Sequence, residues 1–256
     1  MLLHHILSLS LSPLALLPFT LSAPLDSQSP LSSSTDVQPT SRVPSRYEST
    51  ILGRRLLALS STGVISSIFP SSNQSQATPW TPPPTSVSSL SISLPDYLAD
   101  CDSPSVGNPT LLFLDPSTSS RNSRVLPDQD PGHPNNISLS LSWWDAYPLL
   151  TGHRPWAPAD LPRLSMIGYL EEMSIREAEE TGVVACYLRR HPDARLWLPG
   201  DEHAAHGGRW VRLVVREVYW MGGFGDRHWI GWFDREEWNA VREAEWGAVR
   251  LPGERD

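Results

Sequence analysis

The chain has 256 residues, of which 39% are hydrophobic, and its formal net charge is -8 at pH 7. This acidic balance argues against a nucleic-acid partner, because phosphate binding needs a surplus of Lys and Arg. Ten of the eleven tryptophans lie between residues 143 and 246, whereas the amino-terminal third is mostly Ser, Pro and Thr. The composition therefore predicts one globular domain, packed largely in its second half.

The first 22 residues have the organisation of a secretory signal peptide. An apolar run over residues 6–19 follows two histidines and precedes a short polar end. A membrane-spanning helix is the alternative, but two prolines interrupt the run and it is shorter than the roughly 18 apolar residues that a bilayer crossing requires. We predict a cleaved signal over residues 1–22, a disordered Ser/Pro-rich leader over 23–43, and no membrane span thereafter.

Two further features fit export. Asn73 and Asn136 each begin an N-x-S sequon, and so are predicted glycosylation sites. The two cysteines, Cys101 and Cys186, fit a single disulfide in an oxidising compartment, with two buried thiols as the alternative. We therefore expect a glycoprotein that is secreted or resides in a vacuole or lysosome.

The first half of the domain alternates one helix with short strands. Residues 47–59 predict a helix with an apolar face, and Arg54 and Arg55 are expected on its solvated side. An insert over about 70–86 is expected to be disordered, and residues 115–135 are expected to form a long polar loop. Strands are predicted over residues 64–69, 87–94, 110–114 and 137–143.

The second half predicts a strand, a helix and an aromatic hairpin. The strand covers residues 164–173, and one helix over 175–190 follows with Ser174 as its N-cap. Residues 210–233 predict two strands joined by a glycine turn. These glycines do not form a dinucleotide-binding loop, because a strand rather than a helix follows them. A charged helix is predicted after Asp234.

Three segments of this second half resemble a known family. They are Met166-Ile167-Gly168-Tyr169-Leu170, then Arg190-His191-Pro192-Asp193 with Trp197 and Pro199, and then Val218-Tyr219-Trp220 through Phe224-Gly225 to Glu236-Glu237-Trp238. In order and spacing they resemble the CREG family of secreted glycoproteins, within the pyridoxamine 5'-phosphate oxidase-like proteins. The likeness covers residues 47–249 loosely and 164–241 well.

This resemblance implies a mostly β fold with flanking helices (α+β), a six-stranded antiparallel split β-barrel over residues 44–250. It also implies a homodimer, with a cleft between subunits where relatives hold FMN. In the CREG branch that cleft is thought not to hold flavin. Residues 64–70 likewise lack the Arg or Lys that would help to neutralise a flavin phosphate, so no cofactor is expected.

Two function hypotheses follow from the resemblance. The leading one is a CREG-like glycoprotein that binds a protein or small molecule without turnover. No catalytic residue is predicted, because no G-x-S-x-G, H-E-x-x-H or P-loop pattern occurs. The alternative is an FMN-dependent oxidoreductase, with Arg121 or Arg124 on the flavin phosphate and with Tyr219 and Trp220 flanking the ring.

A third hypothesis is a haem- or metal-handling protein that uses His203 and His206. Their imidazoles lie three residues apart beside two carboxylates, a spacing that could hold a metal on a helix. Glycines on both sides of the segment favour a solvated loop instead.

Overall fold

The computed structural model of the protein describes residues 42–70, 81–102, 107–124 and 137–255. The predicted signal peptide, nearly all of the leader, and the sequon residues Asn73 and Asn136 lie outside these ranges. Those assignments, and the limits of the domain, stay predictions.

An antiparallel sheet forms the centre of the fold. Six strands follow one another in the order β2-β1-β4-β5-β6-β3, and a short seventh strand, β7, pairs with β6. A bridge between Ala99 and Thr110 links the two ends of this order and curls the sheet. The predicted six-stranded split barrel with flanking helices is therefore confirmed. The strands are β1 (Thr62–Ile68), β2 (Ser91–Tyr97), β3 (Thr110–Leu114), β4 (Ile137–Ser142), β5 (Arg163–Met173), β6 (Gly208–Met221) and β7 (Ile230–Phe233).

Helices cover the sheet at its ends and on one outer side. Among the described residues, no helix is long and apolar enough to cross a membrane. The first helix begins at a capping box that the sequence analysis did not predict, in which Ser45 Oγ accepts from Glu48 N and Glu48 Oε2 accepts from Ser45 N. The helices are α1 (Arg46–Leu59), α2 (Thr118–Asn122), α3 (Ala146–Thr151), α4 (Ile175–Glu180), α5 (Val183–Arg190), α6 (Arg235–Ala240) and α7 (Glu243–Ala248).

The core has two parts because successive side chains of a strand face opposite sides, and β3 and much of β6 are buried on both sides. Inward-facing residues of β1, β3, β4, β5 and β6 fill the barrel, and the fully buried Leu56 and Leu57 of α1 pack against them. A second cluster lies between α4 and α5 and the outer side of β3, β5 and β6. There Tyr187 meets the ring of Trp210 edge-on, with a centroid distance of 5.1 Å.

Three predicted elements differ from the structure. The single helix over 175–190 is wrong: it is divided into α4 and α5, because Gly182 takes a left-handed conformation (φ 78°) that ends a helical turn. The strand expected over 87–94 starts at Ser91, because Val87 instead closes a 3-10 turn and accepts from Leu90 N (3.0 Å). The polar loop after β3 contains α2, which Ser117 caps by accepting from Ser120 N.

One disulfide joins the segment after β2 to α5. Cys101 and Cys186 are bonded, with their Cα atoms 5.8 Å apart and a separation of 85 positions in sequence. The predicted pairing is therefore present rather than the alternative of two buried thiols. In the chain-entropy model, closing a loop of this length destabilises the unfolded state by about 4–5 kcal/mol.

The side chain of Arg54 is buried, which contradicts the prediction that it is solvated. Its exposed fraction is 1%, and Nη1 donates to the carbonyls of Trp238 (3.0 Å) and Val241 (3.3 Å). The guanidinium carbon lies 5.4 Å from the centroid of the Trp238 ring, and Nη2 lies 3.9 Å from Asp100 Oδ2. The second face of α1 is thus covered by α6 and by the segment after β2.

The carboxyl group of Asp100 faces this buried cation. Burial raises its pKa to about 6, because desolvation disfavours the charged form more than Arg54 stabilises it. The charges of Asp102 and Glu243 raise the pKa further, whereas that of Arg190 lowers it. Asp100 therefore takes up its proton in mildly acidic solution.

We expect the free energy of unfolding to fall as the pH rises from 4.5 to 7. In this window the folded chain holds a proton on Asp100 that the unfolded chain releases near pH 4, which amounts to at most about 3 kcal/mol. Urea unfolding at several pH values measures this slope. Asp100→Asn should reduce it, with the remainder attributable to Asp96, whose pKa is also raised by burial. An unchanged slope in Asp100→Asn contradicts this assignment.

Candidate functional site

Three arginines belong to the segments that meet where β3 runs into α2 and β6 begins. Arg121 and Arg124 come from α2 and the residues after it, and Arg209 comes from the start of β6. Arg209 Nη2 reaches across to donate to Ser120 O (2.9 Å) and Ser123 Oγ (3.0 Å). We call Arg121, Arg124 and Arg209 the arginine cluster.

Each arginine of the cluster has at least one polar partner among the described residues. Arg124 forms an ion pair with Asp115, and Arg209 lies 3.8 Å from a carboxylate oxygen of Glu172. Arg121 Nη2 donates to Thr118 Oγ1 (3.3 Å), whereas its buried Nε has no hydrogen-bond partner among the described residues. Three cations against two carboxylates leave this end of the sheet positive.

Burial distinguishes Arg209 from the other two. Desolvation lowers the pKa of Arg209, and the positive charge of Arg124 lowers it further. Its guanidinium carbon lies 5.8 Å from the centroid of the Phe113 ring. Sequence analysis missed Arg209 because a basic residue at the start of a strand is typical of a solvated edge.

The predicted aromatic ligands lie at the other end of β6. Tyr219 is ten positions after Arg209, which corresponds to about 33 Å along a strand. Tyr219 lies on the outer side of the sheet against Trp232, with ring centroids 4.9 Å apart. Trp220 is buried and packs on the inner side against Phe233, at 5.9 Å.

This geometry is a partial fit to a flavin. Two features of the arginine cluster suit a phosphate, since Arg121 Nε has no partner among the described residues and the side chain of Arg124 is 42% exposed. Within one subunit, however, Tyr219 and Trp220 face opposite sides of the sheet and are far from the cluster. The structure does not bring the four predicted residues together, so their role in cofactor binding stays a prediction.

The two histidines proposed for metal or haem lie in an exposed turn before β6. His203 N donates to Asp201 Oδ1 (2.8 Å), which holds the turn, and both His203 and His206 are exposed. In the part of the chain that the structure describes, no group of three or more His, Cys, Asp or Glu residues could hold a metal ion. Metal binding at this pair stays a prediction.

His191, at the end of α5, has a structural role. Its ring stacks on Tyr97 with centroids 4.4 Å apart, and Nε2 donates to Leu98 O (2.8 Å). The acceptor is thus a carbonyl after β2 and not the last carbonyls of its own helix. His191 fastens α5 to the strand.

A comparison with models of protein families shows to which family the chain belongs. Residues 44–240, which contain α1 to α6 and all seven strands, match the family described as CREG, beta-barrel. The chain belongs to this family. The CREG resemblance seen in the sequence is therefore confirmed. A comparison with curated protein sequences finds no match.

Solved structures share the fold with little sequence identity. One is 17% identical with a TM-score of 0.51, covering 77% of this chain and 99% of the other. A heme binding protein from Mycobacterium smegmatis is 16% identical (TM-score 0.49), covering 78% of this chain but only 62% of its own. A protein related to general stress protein 26, of the pyridoxinephosphate oxidase family, from Clostridium acetobutylicum is 10% identical (TM-score 0.43; 75% and 98% covered). At these identities the likeness concerns the fold alone.

Proposed function

We propose that this CREG-family protein is a secreted or vacuolar glycoprotein that acts as a homodimer, by binding a partner rather than by catalysis. The observation that carries the proposal is the use of the arginine cluster within the subunit. Arg124 is held by Asp115, and Arg209 is held by α2 and Glu172. Cations that are engaged in this way stabilise the fold and are poorly placed to serve an exchanging cofactor.

Export is supported by the disulfide between Cys101 and Cys186, because cytosolic thiols are normally kept reduced. The signal-like first 22 residues and the two sequons support it from the sequence. A raised Asp100 pKa also suits an acidic compartment, since the protonated form is the more stable one there.

Expressed with its full sequence in a eukaryotic host, the protein should appear in the medium or the vacuole carrying N-glycans. We expect Asn73→Gln and Asn136→Gln each to remove one glycan, which is measured by gel mobility before and after glycosidase treatment. Asn135→Gln is the matched control, because Asn135 adjoins a sequon without beginning one. Unglycosylated protein retained in the cytosol would contradict the proposal.

The homodimer is supported by an uncovered row on the outer side of the sheet. Val64, Ser140, Ser165, Tyr219 and Trp232 are direct neighbours across β1, β4, β5, β6 and β7. We call these five residues the outer row. Val64 is 41% exposed and Trp232 is 52% exposed, although both are apolar. The central serines leave a flat surface beside two aromatic rings, which suits close contact with a second copy.

Light scattering during gel filtration tests the outer row. The parent should elute as a dimer, whereas Ser165→Arg should give monomers, because a long charged side chain would stand in the middle of the flat surface. Trp232→Ala should weaken dimerisation by about 30-fold or more, as expected for a buried aromatic anchor. Leu149→Asp, at an exposed apolar residue of α3, is the control that should remain dimeric. If only the control becomes monomeric, the interface lies elsewhere.

A flavin-dependent oxidoreductase is the second candidate, and the unsatisfied Arg121 Nε within a positive cluster is the observation that favours it. Tyr219 belongs to the outer row and is far from the arginine cluster. A second subunit would therefore have to complete the binding site for the flavin ring. Trp220 faces the inner side and would not contact it.

Absorbance of the natively folded protein separates the two candidates. We expect no flavin bands and no saturable change on titration with micromolar FMN. A yellow protein with stoichiometric FMN would establish the second candidate, provided that Arg121→Gln weakens the binding. Arg176→Gln, at a side chain that is 84% exposed, serves as the matched control and should bind as the parent does.

A further inference from the structure

A cavity of about 280 Å³ lies between α1, the turn that joins β6 to β7, and the chain after α7. Its wall is mostly apolar and includes Leu52, Pro162, Trp229 and Leu251. Arg250 and Pro252 also line it and are exposed, so that this side is open to solvent. None of the described residues in the wall is acidic. The cavity adjoins the end of β6, and thus lies far from the arginine cluster.

One polar group on the wall lacks a partner. Trp220 is 1% exposed, and its indole Nε1 has no hydrogen-bond acceptor among the described residues. Two other buried tryptophans are satisfied, since Trp143 Nε1 donates to Pro252 O (2.7 Å) and Trp238 Nε1 donates to Gly107 O (3.0 Å). A buried N–H without an acceptor is costly, and it gains most from an acceptor supplied by a ligand.

Gly222 lies directly beside this N–H. A Cβ on Gly222 would lie 3.0 Å from Trp220 Nε1 and 3.0 Å from His228 Cβ. Gly222 itself lines the cavity. Trp220 and Gly222 both line the cavity, so the unpartnered N–H lies within its wall.

The volume limits the size of a ligand. A dry cavity of about 150 Å³ lined by apolar side chains accommodates benzene, so the present cavity has room for roughly two fused rings. Apolar walls with one donor favour a largely apolar molecule whose orientation is set by a single hydrogen bond.

We propose that this cavity binds a flat, apolar molecule of about two rings that carries one hydrogen-bond acceptor, and that the acceptor takes the N–H of Trp220. The site goes beyond the proposed function, since it is separate from the arginine cluster. Its ligand is neither FMN nor a second copy of the chain. Trp220 was predicted from the sequence as a flavin wall, and here it acts as a hydrogen-bond donor to a different class of molecule.

Quinoline and naphthalene form a matched pair of probes at pH 7, because they have the same shape and only quinoline has an acceptor. Titration of the ¹⁵N-labelled protein should move the indole N–H resonance of Trp220 downfield with quinoline but not with naphthalene. This resonance is identified by its loss in Trp220→Phe. Quinoline should bind the parent roughly ten-fold more tightly than naphthalene.

Three variants complete the test. Trp220→Phe should reverse the preference and bind naphthalene more tightly than quinoline, because the donor is gone and the quinoline nitrogen would be buried without a partner. Leu52→Phe should weaken both by about ten-fold or more, since it fills the cavity. Trp156→Phe, at a residue that is 77% exposed, should behave as the parent does.

Equal binding of the two probes to the parent would overturn the proposal, as would binding of neither, or a quinoline shift at another indole. If Trp220→Phe fails to fold, the affinities of the two probes for the parent and for Leu52→Phe decide the matter, because they need no assignment of the indole resonance. These outcomes are independent of FMN titration and of the oligomeric state, so that failure here leaves the proposed function unaffected.

Discussion

The buried guanidinium of Arg54 is the constraint on which the arrangement of this domain depends. It belongs to α1, yet its partners are carbonyls of α6 and the residue after it, the ring of Trp238, and the carboxyl group of Asp100 after β2. A buried cation must be satisfied from several directions at once, because removal of one partner leaves an uncompensated charge. Arg54 thereby fixes the positions of α1, α6 and the segment between β2 and β3 relative to one another. The disulfide at Cys101 extends this junction to α5.

The sheet was predictable because each strand is a short segment with its own pattern of apolar and polar residues. The bounds of β3 were predicted to the residue, and the hairpin of β6 and β7 followed from its β-branched and aromatic arms. The local errors occurred where backbone conformation or tertiary contacts decided. Gly182 ended a helix that charge order and capping described as continuous, and Arg54 was assigned to solvent because periodicity cannot reveal that a second layer covers a helix.

The candidate site was less predictable than the fold. The sequence placed Arg121 and Arg124 in the correct loop but joined them to Tyr219 and Trp220, which lie ten or more positions along β6 from Arg209 of the cluster. Neighbouring positions on a strand also face opposite sides, so that Tyr219 became part of an outer surface and Trp220 part of an interior wall. Arg209 was missed, because only the pairing of β3 with β6 brings it beside α2. Sites assembled from distant segments depend on such pairings, which composition and spacing do not specify.

The position of the disulfide has a consequence for the order of events during synthesis. Both cysteines precede β6, whereas β6 joins β5 to β3 and thereby completes the sheet. In an oxidising compartment the covalent link can form before β6 has paired with β3 and β5. The tethered segments after β2 and in α5 would then be held close together, which lowers the entropic cost of the long-range strand pairing that follows. Oxidation could in this way act as a folding step that precedes closure of the barrel.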